Sequence, residues 1–317
     1  MGGGSDIPQF YKRSPGATLS TAIDKYVYVC LNKKFDEKIR VSYSQTEIVD
    51  TLQKLEHTRA KACMKHTGIN KGIEIVTIAD IPSKGTGLGS SSSFTVGLLK
   101  ALYAYQGKTV SEEQLADEAC QIEIGKLKEP IGKQDQYIAS YGGMKFMEYS
   151  PNGHVSVSPI ICSSNTLKKI EDSLLLFYTG ITRQTGSLLK NQIAGLSDKQ
   201  KFQNTEKMVQ MAHEMRKAIE NNKTGEIGEM LHEAWLLKKT LNGGISNGEI
   251  DSMYNTAIKN GAEGGKILGA GGGGFLMVYA PKSNHEKIKS ALKKYKEMPI
   301  NFEPEGSRVL FVHKHHE

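Results

Sequence analysis

Ile73-Glu74-Ile75-Val76-Thr77-Ile78 reads as a short β-strand, and Pro82-Ser83-Lys84-Gly85-Thr86-Gly87-Leu88-Gly89-Ser90-Ser91-Ser92-Ser93 follows it almost at once. Beyond the serines, Phe94, Leu98, Leu102 and Tyr105 recur at helical spacing. Strand, glycine-rich loop and amphipathic helix in that order leave the chain few options. The serines stand where a helix N-cap belongs. Three glycines let the backbone turn tightly and approach a ligand without Cβ obstruction. The first amides of the helix and the positive end of its dipole then face outward, which suits phosphate. Hydroxyls at the same point can donate to phosphate oxygens or ligate a hard cation such as Mg²⁺. A flexible Gly/Ser linker is the bland alternative, but linkers are rarely clamped between two regular elements. No Lys-Ser or Lys-Thr follows the last glycine, so this is not a Walker loop, and it is not placed as a dinucleotide fingerprint.

The rest of the chain gives that loop a setting. At 317 residues it can bury a sizeable core in two fused lobes. The formal charge of +7 invites a nucleic-acid reading, but the lysines are scattered and no RNP, zinc-finger or basic-arm motif accompanies them. Anionic small molecules explain the surplus equally well. No apolar run approaches the ~18–20 residues of a membrane span, and the N-terminus does not read as a secretory signal. Cys30, Cys63, Cys120 and Cys162 form no CxxC pair, which points to reduced thiols in a cytoplasm.

Two further stretches carry chemistry. Ser111-Glu112-Glu113-Gln114 is a capping box, opening a helix through Leu115, Ala119 and Ile122 that reaches Glu123. After the Glu129-Pro130 break comes Ile131-Gly132-Lys133-Gln134-Asp135-Gln136-Tyr137. Either carboxylate alone reads as a surface charge; the pair is the point of interest. Farther on, two apolar arms flank Gly269-Ala270-Gly271-Gly272-Gly273-Gly274, the pattern of a tight loop with both ends buried. The strand-like Leu174–Tyr178 leads to Arg183, which reads equally as a phosphate contact or a surface charge.

Elsewhere the pattern predicts scaffold. Residues 17–31 end in a strand with Ile39–Tyr43 as its hairpin partner, and 46–67 form a surface helix. A strand runs from His154 to Val157. Helices cover 199–221, with a methionine stripe at 208, 211 and 215, and 226–241. The tail adds a lysine-rich helix from Asn284 and a last strand over Val309–Val312. His213 and His232 lack metal-ligand spacing. The sequence leaves undecided whether Asp24 and Tyr28 face a ligand.

The loop Pro-x-x-x-Gly-Leu-Gly-Ser-Ser, the Glu123/Gly-x-x-Asp pair and the late glycine run resemble, in that order, the motifs of the GHMP small-molecule kinases. The opening Gly2-Gly3-Gly4-Ser5-Asp6 is most similar to the D-glycero-D-manno-heptose 7-phosphate kinases among them. The resemblance implies an α+β fold of two lobes: a ribosomal S5 domain 2-like lobe over 1–165 that binds ATP, and a ferredoxin-like lobe over 166–317. It implies that Pro82, Lys84, Gly85, Gly87, Leu88, Gly89, Ser90, Ser91 and Ser92 hold ATP, that Ser91 and Glu123 ligate Mg²⁺, and that Asp135 removes the acceptor's proton. Gly3, Gly4, Ser5, Asp6 and Arg183 would meet a sugar phosphate, with Gly271, Gly272 and Gly273 beside it. Relatives carry a strand with basic residues before the first glycines. Here the sequence starts at the glycines, so either the start is late or that strand is absent, and the source of the basic group stays open. Two alternatives stand beside the heptose reading: a kinase of galactose, fucose or an octose, and a catalytically silent ATP- or sugar-binding regulator. A homodimer stays open.

Overall fold

The computed structural model describes residues 1–81, 85–182 and 185–313. Its strands are β1 (Gly16–Thr21), β2 (Val27–Lys33), β3 (Ile39–Ser42), β4 (Thr46–Val49), β5 (Ile73–Ala79), β6 (Met144–Tyr149), β7 (Val155–Pro159), β8 (Leu174–Tyr178), β9 (Gly264–Ile267), β10 (Phe275–Tyr279) and β11 (Lys296–Glu297). The helices of the first half are α1 (Pro8–Tyr11), α2 (Thr58–Thr67), α3 (Ser90–Tyr105), α4 (Glu112–Cys120) and α5 (Gln134–Tyr141). Those of the second half are α6 (Ser164–Asp172), α7 (Thr185–Gly195), α8 (Lys199–Glu220), α9 (Ile227–Leu241), α10 (Gly248–Lys259) and α11 (His285–Ala291).

The first half makes two sheets, β1-β6-β7 and β2-β5-β3-β4. Ile39, Val41, Ile73 and Ile75 project from the second sheet onto Leu98, Leu99 and Leu102 of α3, with Cys63 and Met64 of α2 closing the core. Alternating burial along β3 and β5 is the period-2 signature that fixes which face looks inward. The second half builds one antiparallel sheet ordered β11-β8-β10-β9. Counted in chain order that is 4-1-3-2, the ferredoxin-like arrangement. Trp235 of α9 and Met253 and Tyr254 of α10 cover it. The two halves are fused: Ala17, Leu19 and Phe146 of the β1-β6-β7 sheet pack on Ala212, Met215 and Ile219 of α8, so the methionine stripe is core.

Several local expectations fail for physical reasons. β3 is no hairpin partner of β2. It pairs in parallel with β5, and β2 pairs antiparallel with β5 along its whole length. The connection Lys34–Lys38 holds no Gly or Pro to close a tight turn and is pinned instead by the Gly72 backbone. The expected helix over 46–67 is cut in two. Three of the four residues of Thr46–Val49 are β-branched and the segment pairs with β3, and α2 starts only after His57, whose Nδ1 accepts the Ala60 amide at 3.2 Å. Val309–Val312 joins no sheet; Leu310 and Phe311 are 70% and 81% exposed. Before that point the tail is fastened to the first half, with Asp24 accepting from the Asn301 amide and side chain at 2.9 and 2.8 Å. Asp24 is therefore a clasp, and Tyr28 stands exposed.

Candidate active site

The loop between β5 and α3 has the left-handed conformation its glycines permit. Gly85, Gly87 and Gly89 take φ of 74°, 74° and 70°. Gly89, not a serine, occupies the N-cap of α3, and no side chain caps it. Ser93 is the first amide of the helix to reach a carbonyl, that of Gly89 at 2.9 Å. The amides of Ser90, Ser91 and Ser92 are thus the orphan donors of the helix start, aligned with its dipole. Pro82 and Lys84 lie outside the described residues, as does Arg183. On one flank of the loop a small groove is lined by Ile23, Lys25, Tyr26, Val27, Ile81 and Leu88, together with Ser90 and Ser93.

Behind the helix start lies Glu123, fully buried on the wide i→i+5 turn Gln121–Lys126 that follows α4. One carboxylate oxygen accepts from Thr95 Oγ1 at 2.7 Å and Arg59 Nε at 3.1 Å. The other accepts from Gln136 Nε2 at 2.6 Å and Ser92 Oγ at 2.8 Å. Arg59 also bonds Glu129. A carboxylate has about four acceptor positions, and here protein donors fill all of them, one being a guanidinium that repels any second cation. The donor set as arranged does not fit a resident metal ion. Among the described residues no group of three or more His, Cys, Asp or Glu could hold one either. Ser92, expected at the phosphates, has its hydroxyl committed to Glu123; only its amide remains on the loop side. Ser91 makes no hydrogen bond to Glu123, because successive helix residues are turned ~100° apart.

Asp135 sits in the first turn of α5. A Cβ built on Gly89 would lie 3.2 Å from Asp135 Cγ, so the carboxyl abuts the end of the glycine loop. No described side chain or amide hydrogen-bonds it. It opens to solvent while protein crowds it from behind. That crowding first, then the charges of Asp6 and Glu123, push its pKa up to about 7, against the pull of Lys238. Asp6 is buried and accepts from the amides of Gly4 and Gln134, each at 3.1 Å. Burial raises its pKa as well, with those amides opposing. A Cβ at Gly132 would run into the Asp6 carboxylate, which explains a glycine there.

This geometry has known counterparts. Residues 57–143 match the GHMP kinases N terminal domain and residues 215–297 the GHMP kinases C terminal domain. The D-glycero-alpha-D-manno-heptose 7-phosphate kinase of Campylobacter jejuni is 30% identical over 92% of this chain and 90% of its own. The chain belongs to the GHMP kinase family. The bifunctional fucokinase/GDP-fucose pyrophosphorylase of Arabidopsis thaliana is 27% identical over 72% of this chain and 22% of its own. The crystal structure of a D-glycero-D-manno-heptose 1-phosphate kinase from Bacteroides thetaiotaomicron superposes with a TM-score of 0.82 at 24% identity. That superposition covers 99% of this chain and 96% of the other, a likeness of fold. No helix is long and apolar enough to cross a membrane among the described residues.

As a GHMP kinase the chain uses its late glycines for packing. A Cβ at Gly269 would come 2.6 Å from Gly87 Cα, and one at Gly87 would come 2.5 Å from the Leu268 carbonyl. The two glycine loops thus lie backbone on backbone. Gly271 and Gly272 press on Ile245, Gly273 on Ile181 and Gly274 on Thr86; Gly272 and Gly273 are buried and present nothing to a substrate. Ser5 is also withdrawn. Its hydroxyl donates to Ala17 and Gly2 carbonyls and accepts the Ala17 amide at 3.1 Å, tying the first glycines to β1. Gly4 abuts Gln192, whereas Gly3 has open space beside it. His232 hydrogen-bonds Tyr254 and His213 packs at a tilt against Phe146, both in keeping with scaffold. Three residues of the site escaped the sequence reading: Arg59, Lys238 and Lys266. Lys238 had a signal. It falls on the buried stripe Leu231, Ala234, Trp235, Leu241 of α9, where a lysine is out of place.

Proposed function

We propose that the protein is an ATP-dependent sugar kinase that transfers the γ-phosphoryl group of MgATP to the anomeric hydroxyl of D-glycero-D-manno-heptose 7-phosphate, giving the 1,7-bisphosphate for nucleotide-heptose and surface polysaccharide synthesis. The observation that carries the reading is Asp135: an unpartnered carboxyl against the end of a phosphate-type loop, with a pKa of about 7. A general base is most effective with a pKa near the working pH.

In this reading the triphosphate lies along Gly85, Gly87 and Gly89, with the amides of Ser90, Ser91 and Ser92 on its oxygens. The nucleoside takes the groove beside Leu88, whose walls mix apolar Ile23, Val27 and Ile81 with Lys25 and Tyr26. Pro82, Lys84 and Arg183 remain part of the proposal on resemblance alone. Asp135 takes the proton of the acceptor hydroxyl as that oxygen bonds to the γ-phosphorus. The bond from the γ-phosphorus to the β–γ bridging oxygen breaks, and ADP departs. Loop amides stabilise the charge on the moving phosphoryl group. Asp6 and the open edge at Gly3 meet the sugar, since a carboxylate accepts several hydroxyls at once. Magnesium arrives as part of the nucleotide substrate, and Glu123 braces the helix start from behind. The heptose assignment draws on the C. jejuni relative at 30% identity.

The test is ADP release from MgATP with heptose 7-phosphate, unphosphorylated heptose, galactose, fucose and mevalonate. Turnover confined to the phosphorylated heptose is the expected result. Turnover of fucose instead would reassign the sugar, as the Arabidopsis relative suggests. Nucleotide binding without turnover of any acceptor would favour a regulator.

A further inference from the structure

Lys238 is 4% exposed and sits inside the molecule on α9. Its ammonium donates to one acceptor, the Gly269 carbonyl at 2.6 Å. Among the described residues no carboxylate stands within ion-pair distance of it. Lys266 on β9 is half-buried, close enough for its charge to act on Lys238, and its side chain has no hydrogen-bond partner among the described residues. Burial depresses both ammonium groups first of all, and their mutual repulsion depresses Lys238 further. Asp6 pulls both back, and Asp135 pulls Lys238.

Buried Lys238 and half-buried Lys266 stand near a third cation, the Met1 ammonium, which donates to the Leu19 carbonyl at 2.8 Å, and such a cluster is costly to keep. Their position suggests why they are kept. The carbonyl that holds Lys238 belongs to Gly269, which lies on Gly87 of the phosphate loop. Asp6 stands close enough to act on both lysines, and Asp135 on Lys238. Lys238 is thus anchored where the two glycine loops touch, and the far end of the phosphate loop, at Gly89, abuts Asp135.

We propose that Lys238 and Lys266, supplied by the second half of the chain, form an anion subsite that binds a phosphate dianion between the glycine loop and the Asp6–Asp135 pair. The proposal rests on the kinase reading for the place of the nucleotide. A phosphate there has two sources, the γ-group of the nucleotide or a phosphate already carried by the acceptor.

The experiment measures binding calorimetrically for wild type, Lys238→Met, Lys266→Met and Lys238→Arg. Three probes are used: MgADP, the non-hydrolysable ATP analogue with an imido β–γ bridge, and inorganic phosphate with and without MgADP. The methionine variants should keep wild-type MgADP affinity and lose about ten- to a hundredfold for the phosphate-bearing probe, while Lys238→Arg regains part of the loss. Loss confined to the ATP analogue assigns the subsite to the γ-phosphate. Loss confined to inorganic phosphate assigns it to the acceptor. Thermal unfolding separates folding from binding, because methionine removes a buried charge at similar volume. Lys238→Met should melt no lower than wild type. Methionine variants that bind every probe like wild type, or melt lower with unchanged binding, overturn the subsite. Wild type that binds no adenine nucleotide refutes the kinase reading, and the inorganic-phosphate arm then still decides the lysines.

Discussion

Glu123 and Lys238 are both buried charges within reach of the phosphate loop, yet their surroundings are opposites. Four donors from α2, α3 and α5 converge on Glu123. Lys238 has one carbonyl. A fully partnered buried ion ties elements together, and taking away its partners is expensive. An under-partnered one gains nothing for the fold and is worth its burial only when a ligand completes it. Glu123 thus reads as a brace that sets where α3 and α5 begin, and through α5 where Asp135 stands. Lys238 reads as half of a contact.

Asp135, solvent-open and unpartnered, belongs with Lys238, and its replacement should give the largest effect. Asp135→Asn keeps shape and removes the base, so turnover should fall by about 10²–10⁴-fold with nucleotide affinity intact; unchanged turnover would reject it as the base. Glu123→Ala probes the opposite member of the comparison. It leaves the Arg59 Nε and three other donors without their acceptor, although Arg59 keeps Glu129, and denaturant unfolding should show a loss of about 3–5 kcal/mol. Wild-type stability combined with a raised magnesium requirement would mean instead that the carboxylate turns toward a metal, and the contrast would collapse.

How much of this was legible beforehand follows the range of the interactions. The glycine loop, β5, α3, the Ser111 cap, whose hydroxyl accepts the Gln114 amide, and the helices α8 and α9 are set by local chemistry. The order of glycine segments pointed to the family. β3 went astray because its partner β5 lies some thirty residues downstream, and nothing local announces a parallel pair. Ser92 and Ser91 look alike in sequence; only the helix phase, set by Gly89 as N-cap, decides which meets Glu123. Ser5 and Gly271–Gly273 stood beside ligand-type motifs, but their neighbours are distant backbone. Lys238 was readable in principle as a charge on an apolar stripe.

Gly89→Ala sharpens the comparison at the joint between brace and base. A side chain at φ 70° costs about 1–2 kcal/mol, and the added methyl would press on Asp135 Cγ. Turnover should drop by more than stability does. Equal losses in both would mean that Asp135 does not depend on its contact with the loop.

The smallest effect is the pH dependence of stability, and its sign separates the two kinds of charge. Asp135 holds a proton up to about pH 7 in the fold but only to its ordinary range near 4 when unfolded. Between those limits the folded state binds more protons, so its contribution is complete below pH ~4 and is lost as pH rises through 7. Asp6 acts in the same direction. The lysines act in the opposite sense. Their depressed ammonium groups make the unfolded chain the greater proton binder below their ordinary range, so stability rises with pH there. Asp135 opens to water, which screens the effect and keeps it modest. The stability of Asp135→Asn minus that of wild type should therefore climb from pH 4 to pH 8, while kcat/KM of wild type rises through about 7. A flat difference would place the Asp135 carboxyl back in its ordinary range, and the base would then be tuned only once substrate is bound.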